Sequence, residues 1–82
     1  MTTIQADQIN ALRETAYDAG EKTTLYRKGR NYLLATEHAH GLWRTIIQPD
    51  GSIHWLASGP VPNGWKPLES PAEAAIARAE GD

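Results

Sequence analysis

From Thr23 to Ser58 the polarity of the chain alternates with a period of two, and short glycine-bearing links interrupt the alternation. No other feature restricts the fold as strongly. Side chains that alternate along the backbone belong to β-strands. Strands joined by links this short must fold back antiparallel, because a parallel crossover needs a dozen or more residues. The segments TTLYRK and NYLLATE meet at a two-residue loop containing Gly29, which supplies the positive φ that a tight hairpin needs. EHAHG is a short turn ending at Gly41 and leads into LWRTIIQ. Pro49-Asp50-Gly51-Ser52 then turns the chain into SIHWLAS. The expected unit is a four-stranded antiparallel meander.

Outside this unit the period changes. Ile9, Leu12, Ala16 and Ala19 recur at spacings of three and four, which predicts an amphipathic helix. Thr2 or Thr3 caps its start, it runs to about Ala19, and Gly20 stands where a left-handed stop belongs. Ser70-Pro71-Ala72-Glu73 combines a cap, a first-turn proline and a capping-box glutamate, so AEAAIARAE is a second expected helix, ending near Gly81. Between meander and second helix, GPVPNGWKPLESP holds four of the five prolines. Proline removes ladder donors, so the stretch is expected to be an irregular connection and not a ladder strand. It is long enough to wrap back across the sheet, with Val61, Trp65 and Leu68 as anchors. The predicted fold is α+β, in the order α-β-β-β-β-α, with both helices on one side of the sheet, and one domain spanning residues 1–82.

Asp50-Gly51 suits a two-residue primed turn, which would set Ile47 opposite His54, Ile46 opposite Trp55 and Thr45 opposite Leu56. A hairpin through His40-Gly41 would set Glu37 opposite Arg44. Alternation then places Leu25, Tyr32, Leu34, Trp43, Thr45, Ile47, His54 and Leu56 on a first face. Tyr26, Leu33, Ala35, Arg44, Ile46, Ile53 and Trp55 fall on a second. The first face has no charge in its interior unless His54 is protonated, since Arg27, which shares its phase, sits at the turn end, and it is assigned to the core. The second carries an expected Glu37–Arg44 pair beside an apolar cluster, the anatomy of a contact patch. Its candidate protein-binding residues are Tyr26, Arg44, Ile46, Ile53 and Trp55. The competing arrangement has the proline-rich segment, through Val61 and Trp65, folding over this face and burying it.

The chemistry of the chain is sparse. Cysteine is absent, so no disulfide or thiolate–metal staple forms. His38 and His40 flank a turn while His54 is expected near Ile47, which is too far for shared coordination, and no metal or cofactor is predicted. Ser52, Ser58 and Ser70 lack a base-and-acid setting, and no phosphate loop or Gly-x-Ser-x-Gly occurs. An enzyme is therefore not expected. Lys22, Arg27, Lys28 and Arg30 gather near the first hairpin, and Lys28 and Arg30 are the candidates for an alternative nucleic-acid contact. The net charge of -2 disfavours direct nucleic-acid binding as the main role. The opening residues show no basic leader followed by an apolar run, and apolar runs are far below the ~20 residues needed to cross a bilayer. The expectation is a cytoplasmic protein with no membrane partner.

In size, lack of cysteine, slight acidity and layout, the chain resembles small proteins encoded by bacteriophages and mobile elements, among them the anti-CRISPR proteins. The likeness rests on one helix, the meander through LWRTIIQPDGSIHWLAS and the terminal SPAEAAIARAE, and on no diagnostic motif. It implies a non-catalytic inhibitor that occupies the surface of a host protein or ribonucleoprotein complex in the host cytoplasm. A nucleic-acid-contacting accessory protein and a bacterial homodimer that buries the second face against itself are the other readings.

Overall fold

The computed structural model describes residues 1–68. The expected helix beginning at Ser70 lies outside these residues. Helix α1 (Thr3–Asp18) is followed by strands β1 (Thr23–Lys28), β2 (Asn31–His38), β3 (Gly41–Ile47), β4 (Ile53–Leu56) and a short β5 (Lys66–Pro67). They form one antiparallel sheet in the order β4-β3-β2-β1-β5, so the protein is a small α+β fold. The four-stranded meander matches the sequence reading.

Helix α1 starts at the expected place. The Thr2 hydroxyl accepts the Gln5 backbone N–H at 3.1 Å, and the Gln5 side-chain oxygen accepts the Thr2 N–H at 2.9 Å, a complete capping box. Gln5 goes further, because its amide is buried. Its Nε2 donates to the carbonyls of Arg30, at 2.8 Å, and Ile47, at 3.2 Å. One side chain thus starts the helix and fastens it to the ends of two strands. One turn on, Ile9 packs with Leu25, Tyr32, Leu34 and Ile47, all on the first face, while Met1, Leu12 and Leu68 border this core.

Three features of the sheet differ from the sequence expectation. The first is the β3–β4 register. Ile47 pairs with Ile53, Ile46 with His54, Thr45 with Trp55 and Arg44 with Leu56, one residue away from the register that Asp50-Gly51 suggested. Proline is the reason. A two-residue loop would make Pro49 a ladder residue, but Pro49 has no N–H to give. Gln48 takes that place instead, donating to the Ser52 carbonyl at 2.9 Å and accepting the Gly51 N–H at 2.9 Å. The loop is therefore Pro49-Asp50-Gly51, with only Gly51 at positive φ (+88°). A shift of one residue exchanges faces along a whole strand. Ile53 and Trp55 consequently point to the helix side, and His54 and Leu56 to the other.

The second difference concerns Arg44. Its partner across β2–β3 is Ala35, and Glu37 stands opposite Leu42, because Ala39 and His40 form the loop. The shift preserves faces but leaves no Glu37–Arg44 opposition. The Arg44 guanidinium donates instead to the carbonyls of Pro60, at 2.6 Å, and Ala57.

The third is the proline-rich segment, which was expected to lack ladder pairing. Lys66 and Pro67 pair with Arg27 and Tyr26, and the Leu68 N–H donates to the Leu25 carbonyl at 2.9 Å. Proline is tolerated here because β5 is an edge strand. Residues 57–65 must then carry the chain from one edge of the sheet to the other, about 20 Å at the usual strand spacing, which nine extended residues span with ease. Helix α1 occupies the first face, and Arg44, on the second, is bound by this segment. Leu33 and Ala35, both second-face residues, are 0% and 2% exposed. The centre of the second face is buried, not open, while Tyr26, Arg44 and Ile46 around it are half-buried.

Candidate functional site

With the centre of the second face buried, the largest exposed apolar side chains at the sheet lie on the helix side. Trp43 and Trp55 are 48% and 64% exposed. Both follow from the register. Trp55 stands opposite Thr45, and Trp43 lies two residues along β3 from Thr45 on the same face, so the indoles are diagonal neighbours across β3 and β4. His38, at the end of β2, continues the diagonal. Its ring centroid is 4.9 Å from that of Trp43, and the planes are tilted by 58°. Its Nδ1 contacts the Glu21 carboxylate, and this pairing ties the link after α1 to the end of β2.

These side chains line a groove of ≈ 240 Å³ between the second half of α1 and the sheet. Its helix wall is Leu12, Thr15 and Ala16, and its floor includes Leu34 and Thr45. The groove lies beside the second half of α1, where the wall is made of short side chains. Gln5 and Ile9 hold the start of the helix close to Ile47, whereas small side chains at 15 and 16 leave space above Thr36 and Thr45. The surface is largely aromatic and apolar, with indole N–H groups, the hydroxyls of Thr15, Thr36 and Thr45 and one imidazole–carboxylate pair as polar elements. It is equipped to hold an apolar or aromatic side chain.

The residues singled out from sequence separate into two groups. Tyr26, Arg44 and Ile46 lie on the second face, each half-buried; Tyr26 stands between Leu33 and Pro67, and Ile46 between Leu33 and His54. Ile53 and Trp55 lie on the helix side, with Ile53 opposite Ile47. No single patch contains all five. Trp55 is exposed as expected, but its neighbours are Thr45 and Trp43, not Ile46. Trp43, assigned to the core from sequence, lines the open groove, and His38, read as a turn histidine, forms its end wall. Pro49, whose missing N–H fixes the β3–β4 register, is the signal that brings Trp55 to the same face as Trp43 and His38, both of which keep the face that alternation gives them. Gln5 was legible as the fourth residue of a Thr-x-x-Gln capping box.

Lys28 and Arg30 are exposed at the β1–β2 turn, at the opposite end of β2 from His38. His54 faces away from His38, and no three His, Asp or Glu side chains gather around one point among the described residues. No helix among the described residues is long and apolar enough to cross a membrane. No protein-family model matches the chain, and neither a curated protein nor a solved structure matches it.

Proposed function

We propose that the protein is a non-catalytic binding module that docks a protein partner through the Trp43–Trp55 groove. One observation carries this reading. A domain of this size buries only about 60–65% of its unfolded surface and has few large apolar groups to spare, yet two of its three tryptophans stand open to solvent on the rim of one groove. Tryptophan is the side chain most enriched among residues that dominate binding energy. Ile53 extends the same face along β4, and the four-residue edge strand gives an approaching partner backbone as well as side chains to meet. The wider role is that of a phage-type inhibitor occupying a host ribonucleoprotein or protein complex, supported by size, lack of cysteine and layout.

The test uses Trp55→Gln and Trp43→Gln as paired baits beside the wild type in pull-downs from bacterial lysate, each first checked by urea melts. An exposed substitution such as Trp55→Gln is expected to move stability by about 0.5 kcal/mol, while loss of an anchor weakens binding by about 2 kcal/mol or more. The reading requires one protein recovered by the wild type and lost from both variants. Equal recovery by all three baits would reject the groove as the contact surface.

A further inference from the structure

We infer that the end of the sheet away from the tryptophan groove is a second contact surface, which holds the phosphate backbone of a single nucleic-acid strand through Arg27, Lys28, Arg30 and Lys66. These four cations are half of the Lys and Arg residues in a chain of net charge -2, and all are exposed. The sequence places three of them at the first hairpin; the fold adds the fourth. β5 returns to pair with β1 and sets Lys66 directly opposite Arg27. Directly opposed residues of an antiparallel pair have backbones about 4.5–5.5 Å apart and share a face, and like charges in that position repel. Among the described residues, none of the four forms an ion pair with a carboxylate. The fold thus concentrates positive charge where neutral side chains would pair better.

Local geometry spreads the four charges into a strip. Arg27 Nε donates to the Gly29 carbonyl at 3.0 Å, which holds the guanidinium over the turn. Arg27 then lines two open depressions, one of ≈ 300 Å³ with Arg30 and one of ≈ 500 Å³ with Lys28 and Lys66. Gly64 lies beside Lys28, and a Cβ placed there would stand in ordinary contact at 3.4 Å from Lys28 Cε. A flexible strand can lay successive phosphates along such a strip. A duplex major groove admits a helix or a two-stranded β-ribbon. The outer face of α1 carries Asp7, Glu14 and Asp18, all exposed, and the β1–β2 hairpin is flanked on both sides by β5 and β3, a sheet wider than such a ribbon. A membrane reader would need apolar side chains beside the cations, and none of the large exposed ones (Ile4, Tyr17, Trp43, Trp55) belongs to this strip.

The surface is independent of the tryptophan groove and is tested without the protein partner. The probe is a fluorescein-labelled, mixed-sequence single-stranded RNA of about 20 nucleotides, followed by anisotropy over a salt series. Four phosphate contacts give a slope of log K against log salt of about -3, and a Lys28→Gln/Lys66→Gln double variant should roughly halve it and lower affinity at least about tenfold at low salt. Lys66→Gln alone supplies the control for folding. It relieves the repulsion with Arg27, so its urea midpoint should equal or exceed that of the wild type while RNA binding falls. The inference is overturned by absence of RNA binding at low salt, or by a slope that the variants do not change. Equally tight binding to phosphatidylserine vesicles, to poly-glutamate or to duplex DNA would also overturn it.

Discussion

Replacing Gln5 with Ala should remove more stability than any surface property of that residue suggests. The side chain is 1% exposed and engages three backbone groups: the carbonyls of Arg30 and Ile47 and the N–H of Thr2. Each hydrogen bond contributes about 1 kcal/mol net, and a carbonyl left buried without a donor costs about 1–3 kcal/mol. Thr2 is exposed, so water replaces its lost partner at little cost. The bond to Ile47 is buried, and water does not readily replace it. The expected loss is about 2–4 kcal/mol, a large share of the roughly 4–12 kcal/mol available to a domain of this length. Urea melts followed by circular dichroism and by tryptophan fluorescence measure it. Gln5→Glu sharpens the test, because it sets a carboxylate against two carbonyl oxygens. Its folded-state pKa must rise above the unfolded value of about 4.3. Relative to Gln5→Ala, this variant should then gain stability as pH falls through the raised pKa toward about 4.3. A Gln5→Ala loss below about 1 kcal/mol, or a Gln5→Glu variant indifferent to pH relative to Gln5→Ala, would refute the pinning argument.

Gly51→Ala should cost about 1–3 kcal/mol, since φ there is +88° and the new Cβ would overlap Ile4 Cγ2; an unchanged urea midpoint would contradict the three-residue loop. The Ser52 hydroxyl and then its backbone N–H hold the Asp50 carboxyl below its usual pKa of 3.8. Its stabilising contribution is therefore full above that value and lost as pH falls through the lower folded-state pKa, and Asp50→Asn should abolish this acid-side component in pH-dependent melts. Chelator treatment should leave the melting temperature unchanged, because His38 is engaged by Glu21 and His54 is on the opposite face; a chelator-induced unfolding transition would show that a metal centre exists.

The elements that were legible in sequence are those whose signals are local. The Thr2 cap, the two-residue turn at Gly29-Arg30, and the extents of β1 and β2 depend on residues close in the chain, and they appear where the pattern puts them. The β3–β4 turn was locally ambiguous. Asp50-Gly51 favours one loop, and the missing N–H of Pro49 favours another. The proline decides because an absent donor cannot be compensated within the ladder. That one residue moved Ile53 and Trp55 away from Tyr26, Arg44 and Ile46 and divided the expected patch. Burial of the second face was readable only as one of two arrangements, and β5 not at all, for a different reason. They depend on where the chain goes after crossing the sheet, and no periodicity in GPVPNGWKP encodes a destination.

The pairing of β5 with β1 also sets an order of events in folding. Each hairpin of the meander closes a loop of about ten residues or fewer at its central pairs, whereas Arg27 meeting Lys66 closes roughly forty. The additional closure entropy is roughly 1.3 kcal/mol, set against only two ladder residues. The crossing segment should therefore dock after the rate-limiting step, onto a meander already formed. Substitutions along residues 57–67, including those that release Arg44 from the Pro60 and Ala57 carbonyls, are then expected to steepen or raise the unfolding arm of a chevron while leaving the folding arm in place. How long the folded state persists would be governed by this strap more than by the sheet it crosses.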